Sequence, residues 1–206
     1  MPFEFTFHIL MPLTLGVVSL SFIALGLYAL TRKRPFIIDA RWMLAIVVVA
    51  MLPSVVMQLT VLFVQDRHRS GLDVTSSISL LMTIILVGYI ALQMRGYIIF
   101  GTTQDSFRDA LLSALASLNL RVEETLSSIR LPSVPAELQV AVYGWIGTGQ
   151  LRLRNGGRPR LLADVAGRMT THFNSAKVKT NMTSAVAYLI LGILMSAMVV
   201  TIMFAA

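Results

Sequence analysis

The chain has 206 residues, of which 56% are hydrophobic and 13% are charged, and its mean hydropathy is +0.76. A soluble domain of this length could not bury so much apolar material, so the composition predicts that part of the chain faces lipid. The formal net charge of +7 agrees with the basic residues that membrane proteins place on their cytoplasmic side. The sequence contains no cysteine, which excludes disulfides, thiolate metal sites and cysteine nucleophiles.

Four apolar runs are each long enough to cross a hydrocarbon core roughly 30 Å thick, which takes about 20 helical residues. None of them contains Asp, Glu, Lys or Arg, and they cover approximately residues 8–30, 42–65, 76–94 and 182–206. Because unpaired backbone groups are not tolerated in lipid, each run is predicted to form a helix despite Pro12 and Pro53. The predicted fold is a helical membrane protein with four transmembrane helices, three in residues 1–95 and the fourth in residues 176–206.

The charges of the short loops predict the orientation of the chain. The loop between the first two spans carries four basic residues and one acidic residue, namely Arg32, Lys33, Arg34, Arg41 and Asp39. This excess of positive charge predicts a cytoplasmic loop. The loop of residues 66–76 has two arginines against two aspartates, as expected on the opposite side. Both termini are then predicted outside and residues 96–175 in the cytoplasm, and the expected location is a bacterial inner membrane.

Residues 96–175 show the shorter periodicities of a soluble fold inserted before the last span. A strand is predicted at 97–100, followed by a helix that Thr102 or Thr103 caps and that carries the apolar stripe Phe107, Leu111 and Leu115. One irregular strand is predicted at 121–131, two more around 138–142 and 151–153, and a final amphipathic helix at 159–173. The order β-α-β-β-β-α predicts a small α/β domain, an open sheet with helices on one face.

Small and neutral polar residues inside the spans are candidates for helix packing. Ser184, Gly192 and Ser196 recur at multiples of four residues on the last span, with Tyr188 on the same row. Small residues of this kind let helices approach closely, although Gly and Ser are also simply common in membrane helices. Gln58 on the second span can hydrogen-bond to a neighbouring helix, or it can line a substrate path. Such a packing face does not reveal whether its partner helix belongs to the same chain.

No residue pattern in the sequence indicates a catalytic centre or a metal site. His8, at the outer end of the first span, is a candidate ligand for a haem-like macrocycle, and an interfacial hydrogen bond is the alternative. The glycines at 144, 147 and 149 have the composition of a nucleotide-binding loop, but a strand and not a helix follows them. A hairpin turn is predicted there instead. We therefore expect neither enzyme activity nor a cofactor.

A basic run on the cytoplasmic side of the predicted topology comprises Arg152, Arg154, Arg158 and Arg160. Near a membrane surface each such residue contributes about 1 kcal/mol to binding of anionic headgroups. The same charges could instead dock an acidic protein partner, and both alternatives stay open. Nucleic acid is not an expected partner, because no aromatic platform or recognition helix accompanies the charge.

The hypothesis that the sequence favours is a non-catalytic accessory or scaffold subunit that packs against other integral membrane subunits. It rests on two observations: the predicted spans carry no charge, and the sequence shows no pattern of catalytic residues. Respiratory or photosynthetic complexes are suggested by analogy. One alternative is a small oligomeric transporter or channel lined by Gln58, although conduction usually needs ionisable groups at membrane depth. Another alternative is a membrane-tethered sensor whose soluble domain binds a small ligand.

Overall fold

A computed structural model of the chain describes residues 9–64, 74–120, 123–124, 128–131, 136–154, 159–176 and 178–205. The described residues form two compact units. One, here called the membrane unit, comprises the residues up to 23, residues 42–94 and the residues from 190 onward. The other, here called the sheet unit, comprises residues 24–41 and 95–189.

Helices hold most of the described residues, and short strands lie between them. In chain order the elements are α1 Met11–Arg32, β1 Phe36–Asp39, α2 Ala40–Val64, α3 Val74–Gln93, β2 Tyr97–Phe100, α4 Gln104–Ser117, β3 Glu123–Glu124, β4 Ser128–Leu131, β5 Ala136–Tyr143, β6 Thr148–Arg154, α5 Pro159–Ser175 and α6 Thr183–Ala205.

Three of the described helices are long and apolar enough to cross a membrane, over Met11–Arg32, Ala40–Leu62 and Thr183–Phe204. They correspond to the first, second and fourth predicted spans, and α2 continues through Pro53. The third predicted span forms the helix α3, but its described apolar part, Ser77–Gln93, is shorter than the other three. Crossing of the membrane by α3 therefore stays a prediction.

The sheet unit contains an antiparallel sheet of six described strands in the order β1-β2-β6-β5-β4-β3. The predicted order β-α-β-β-β-α is wrong in two places. Phe36–Asp39, expected to be part of a loop, forms β1 and pairs with β2. The single strand expected at 121–131 is a pair, β3 with β4. Because the described pairs are all antiparallel, the unit is of the α+β type and not of the predicted α/β type.

One face of the sheet packs against α4 and α5. The strands contribute Ile99, Leu138 and Leu151 to this core. The helices contribute buried residues at steps of three and four, which are Phe107, Leu111 and Leu115 of α4 and Leu162, Val165, Met169 and Phe173 of α5. The apolar stripes predicted for both helices are confirmed, because these spacings place one side of each helix on the sheet.

The opposite face of β1 and β2 packs against the end of α1 and the start of α6. Phe36 and Phe100 stack with ring centroids 5.3 Å apart, and Tyr28 and Tyr188 meet them edge-on at 5.1 and 5.7 Å. Small buried residues of α1 and α6, among them Ala29, complete this cluster. β1 and β2 are thus covered on both faces, and the sheet unit includes helix ends that lie outside the predicted domain 96–175.

Polar side chains fix the starts of α4 and α6. Thr103 is the N-cap of α4, and its hydroxyl and that of Ser106 each accept the other's backbone N–H, at 3.3 and 2.8 Å. Before α6, the Asn181 amide nitrogen donates to the carbonyl of Gly144 at 2.6 Å, while its oxygen accepts the backbone N–H of Thr183 at 3.0 Å. Asn181 therefore ties the turn between β5 and β6 to the first residues of the last helix.

Gly149 of β6 lies directly under the ring of Phe107, so Gly149→Ala is expected to destabilise the protein. An added Cβ would lie 2.6 Å from Cδ2 of that buried ring, which would have to shift. Overpacking of this kind costs about 1–3 kcal/mol. The measurement is the thermal unfolding midpoint of the full chain in lipid nanodiscs. Gly144→Ala is the matched control, because a Cβ there meets nothing within 4 Å, and equal midpoints for the two variants would contradict the packing.

Candidate functional site

Neutral polar contacts inside the spans and basic residues at the ends of the spans are the candidate functional features of the chain. Two of the predicted site residues, His8 and Arg158, lie outside the residues that the structure describes. The other predicted residues divide between the two units.

In the membrane unit, Gly192 and Ser196 of α6 contact α1. The hydroxyl of Ser19 donates to the carbonyl of Gly192 at 2.8 Å, and the hydroxyl oxygens of Ser19 and Ser196 are 2.5 Å apart. A Cβ on Gly192 would lie 2.6 Å from Cγ1 of Ile23 and 3.0 Å from the carbonyl oxygen of Ser19. The partner of this packing face therefore belongs to the same chain.

In the sheet unit, the residues of the predicted packing row on α6 also contact other parts of the same chain. Ser184 is buried, and Tyr188 meets the ring of Phe100. A second close approach, which the sequence analysis did not identify, occurs at Gly26 of α1. A Cβ there would lie 2.7 Å from Cγ of Leu189 and 2.9 Å from a carbonyl oxygen of α6. Small residues on α1 were the available signal, but spacing alone does not pair one helix with another.

Gln58 of α2 joins a hydrogen-bonded group with α3. Its amide nitrogen lies 3.1 Å from the hydroxyl of Ser54 on the same helix and 3.3 Å from the hydroxyl of Thr83 on α3. Thr83 in turn donates to the carbonyl of Ser79 at 2.9 Å. Gln58 thus has polar partners within the chain, as expected for a residue that holds two membrane helices together.

The predicted basic run does not lie on one element. Arg152 and Arg154 lie on β6, opposite Gln139 and Glu137 of β5. Arg160 is an exposed residue of α5. By strand alternation Arg152 and Arg154 share a sheet face, the one whose β1 and β2 portion is covered by α1 and α6.

Two arginines at and just after the end of α1, Arg32 and Arg34, bind the end of α5. The Arg32 guanidinium donates to the side-chain oxygen of Asn174 at 3.0 Å and to the hydroxyl of Tyr28 at 2.7 Å. Arg34 donates to the backbone carbonyl of Asn174. Cations at a helix C-terminus are favourable because unpaired carbonyls gather there. Part of the positive charge that predicts a cytoplasmic loop thus also has a structural role.

Every buried side-chain nitrogen or oxygen that the structure describes has a hydrogen-bond partner. Within the described ranges, no group of three or more His, Asp or Glu side chains is placed to hold a metal ion. Comparison with protein-family models, with curated proteins and with solved structures found no match. The functional conclusion therefore rests on the geometry of the chain itself.

The contact of Ser19 with Ser196 predicts a disulfide in the variant Ser19→Cys with Ser196→Cys. Hydroxyl oxygens 2.5 Å apart place the two Cβ atoms close to the separation that a disulfide needs, and the natural chain has no competing cysteine. We expect efficient intrachain oxidation in nanodiscs, measured by protection from alkylation. Ser21→Cys with Ser196→Cys is the control, because the hydroxyl of Ser21 donates to the carbonyl of Val17 on its own helix. Equal oxidation of both pairs would contradict the described helix contact.

Replacing Gln58 tests whether its amide holds helices together or serves a substrate path. Gln58→Leu removes the hydrogen bond to Thr83, so a stability loss of about 0.6 kcal/mol is expected in nanodiscs. Gln93→Leu is the control, because the amide nitrogen of Gln93 donates to the hydroxyl of Tyr89 on its own helix. Ion or solute flux into vesicles is expected to be absent for wild type and variant alike. Flux in the wild type that disappears in Gln58→Leu would support the transporter alternative instead.

Proposed function

We propose that this protein is a non-catalytic accessory or scaffold subunit of a larger complex in a bacterial inner membrane. The observation that carries the proposal is the surface of α2, which has no charged residue after Arg41 and whose apolar stretch of membrane-spanning length has 0% of its residues buried by the described chain. Large side chains such as Leu52 and Met57 are exposed along it. The chain thus has apolar helix surface that its described residues do not cover.

The polar groups of the spans support a packing role over a transport role. Ser19, Ser196, Gln58 and Thr83 bond to one another or to backbone carbonyls across or along the helices. The predicted spans carry no formal charge. A path for ions or polar solutes needs groups that replace water of hydration, and groups already bonded to each other are less available for that.

The α3 surface supplies the specific feature that a partner helix could use. A Cβ on Gly88 meets nothing within 4 Å, and one turn away on either side Ile84 and Leu92 are exposed. Glycine flanked by large apolar residues forms a shallow groove on a helix, and close approach at such grooves drives helix association in membranes. Gly192 and Ser196 already pack against α1. We therefore assign the exposed faces of α2 and α3 to partner helices.

The orientation in this proposal follows the charges. Both termini lie outside and residues 96–175 lie in the cytoplasm, because the segment from Arg32 to Arg41 carries four basic residues against Asp39. A respiratory or photosynthetic assembly is the first place to look for the partner. Small helical subunits without cofactors are frequent there, and this step rests on analogy.

The proposal predicts that the protein, extracted gently with native lipid, travels with other integral membrane subunits at fixed ratio. Native mass spectrometry of the extract measures this. Gly88→Leu is expected to lower the recovered partner while leaving the unfolding midpoint unchanged, because an added Cβ at this position meets none of the described atoms within 4 Å. Gly144→Leu, in the turn outside the spans, is the control. Recovery of the wild type as a monomer without companions would contradict the proposal.

A further inference from the structure

Two arginine side chains converge on one residue of the sheet unit. The guanidinium of Arg32 donates to the side-chain oxygen of Asn174 at 3.0 Å, and the guanidinium of Arg34 donates to the backbone carbonyl of the same residue. Both acceptor atoms belong to Asn174, so the two guanidinium groups themselves lie close together. All three residues belong to the sheet unit, and Arg34 and Asn174 are exposed.

The hydrogen bonds of the two arginines leave N–H groups available. A guanidinium carries five N–H donors. Arg32 donates to Asn174 and to the hydroxyl of Tyr28, and Arg34 donates to Asn174. Most donors of the two groups therefore have no acceptor among the residues that the structure describes, and the acceptors in use are neutral. Two adjacent guanidinium groups with available donors suit an oxyanion that offers several oxygens.

Lys33, between the two arginines, has a backbone conformation that lysine rarely adopts. Its φ is +51°, directly after the last residue of α1. Glycine is the usual residue in this left-handed region at helix ends, because a side chain is strained there. Asn119 is the other described non-glycine residue with a positive φ, and asparagine tolerates the region through its short polar side chain. An orientation signal does not need a lysine at this strained position, because it depends on the number of basic residues in the segment. The strain thus indicates a further function for the charge of Lys33.

No carboxylate of the described ranges offsets these three charges. The ion pair that the structure describes joins Arg41 to Asp39, and it includes none of residues 32–34. The C-terminal ends of α1 and α5 each contribute about half of a negative elementary charge through their unpaired carbonyls. Against the described groups, the three cations therefore keep a positive surplus of about two charges.

We propose that Arg32, Lys33 and Arg34 form a binding site for a phosphate group. A phosphate ester carries about 1.5 to 2 negative charges at neutral pH, which matches this surplus, whereas a single carboxylate carries one. Its oxygens can accept N–H groups from both guanidiniums at once. Free phosphate, a soluble phosphate ester and a phospholipid headgroup share this chemistry. The site lies within the sheet unit and does not depend on which complex the protein joins.

Inorganic phosphate is the probe that tests this site. The full chain is placed in phosphatidylcholine nanodiscs, and its thermal unfolding midpoint is measured in sodium phosphate and in sodium chloride of equal ionic strength. Phosphate that binds only the folded chain should raise the midpoint by roughly 3–6 °C at ten times its dissociation constant. Sodium acetate of the same ionic strength should give a smaller rise, because acetate carries a single charge.

Charge variants decide whether the phosphate response belongs to this site. Arg32→Gln with Arg34→Gln should abolish it. Arg160→Gln with Arg168→Gln removes the same charge from exposed positions of α5 and should keep it. Asn174→Asp adds a carboxylate at the residue that both guanidiniums contact, so the response should disappear although no arginine is removed. This variant adds no bulk, so it tests the site even where the double variant folds poorly.

Lys33→Gly separates stability from binding. Without phosphate, relief of the strained φ should leave the unfolding midpoint unchanged or raise it by up to about 4 °C. The phosphate response should nevertheless become smaller, because one of the three charges is lost. Lys33→Met is the matched control, since it removes the charge and keeps the strain. A lowered midpoint or a full phosphate response in Lys33→Gly would contradict the role of Lys33.

Several outcomes would overturn the proposal. Equal midpoints of the unmodified chain in phosphate and chloride would show that no phosphate is bound, and a response that persists in Asn174→Asp would place it elsewhere. Equal loss in both double variants would show diffuse attraction by the whole basic surface. Nanodiscs with a minor fraction of phosphatidic acid identify the source of the phosphate group. If the lipid fills the site, the response to free phosphate disappears in them, whereas a persisting response assigns the site to soluble phosphate. The experiment contains no partner subunit, so its failure is independent of the co-purification result.

Discussion

Four residues of β1 pair with four residues of β2, from Phe36 opposite Phe100 to Asp39 opposite Tyr97. β1 connects α1 to α2, and β2 follows α3 in the chain. A two-stranded ladder of this length is marginal by itself. Here both of its faces are buried, one under α5 and the sheet core and the other under the ends of α1 and α6. The pairing therefore joins helix ends to the sheet.

The sequence predicts the elements that depend on local residue patterns, but it does not predict pairing between strands that are distant in the chain. The helices α4 and α5 follow from apolar spacing, and the strand Tyr97–Phe100 follows from a short run of β-favouring residues. β1 has the same kind of sequence, Phe-Ile-Ile-Asp, but it stands beside a basic cluster between two spans. Its partner strand lies beyond two further helices, and no local pattern reports such a pairing.

In the candidate sites, too, residues with a local pattern were predicted, whereas their partners from distant parts of the chain were not. Gly192 and Ser196 were identifiable because small residues at four-residue steps suit helix contacts, whereas their partner Ser19 could be found only from the structure. The basic run of residues 152–160 was visible as a cluster in the sequence, but its described arginines lie on two elements, β6 and α5. The backbone of Arg152 instead lies close to Gly96, because the positive φ of Gly96 allows an approach that spacing does not predict.

Asn181 contacts segments of the chain that are synthesised at different times. Its side chain binds the carbonyl of Gly144 and the first turn of α6, and its backbone N–H binds the carbonyl of Gly101. Proteins emerge from the ribosome N-terminus first, so the strands β2, β5 and β6 are available before Asn181 and α6 appear. The start of the last helix is thus fixed against a sheet that can already have formed. A chain whose sheet has misfolded offers no such anchor, and its final helix then begins without a defined first turn.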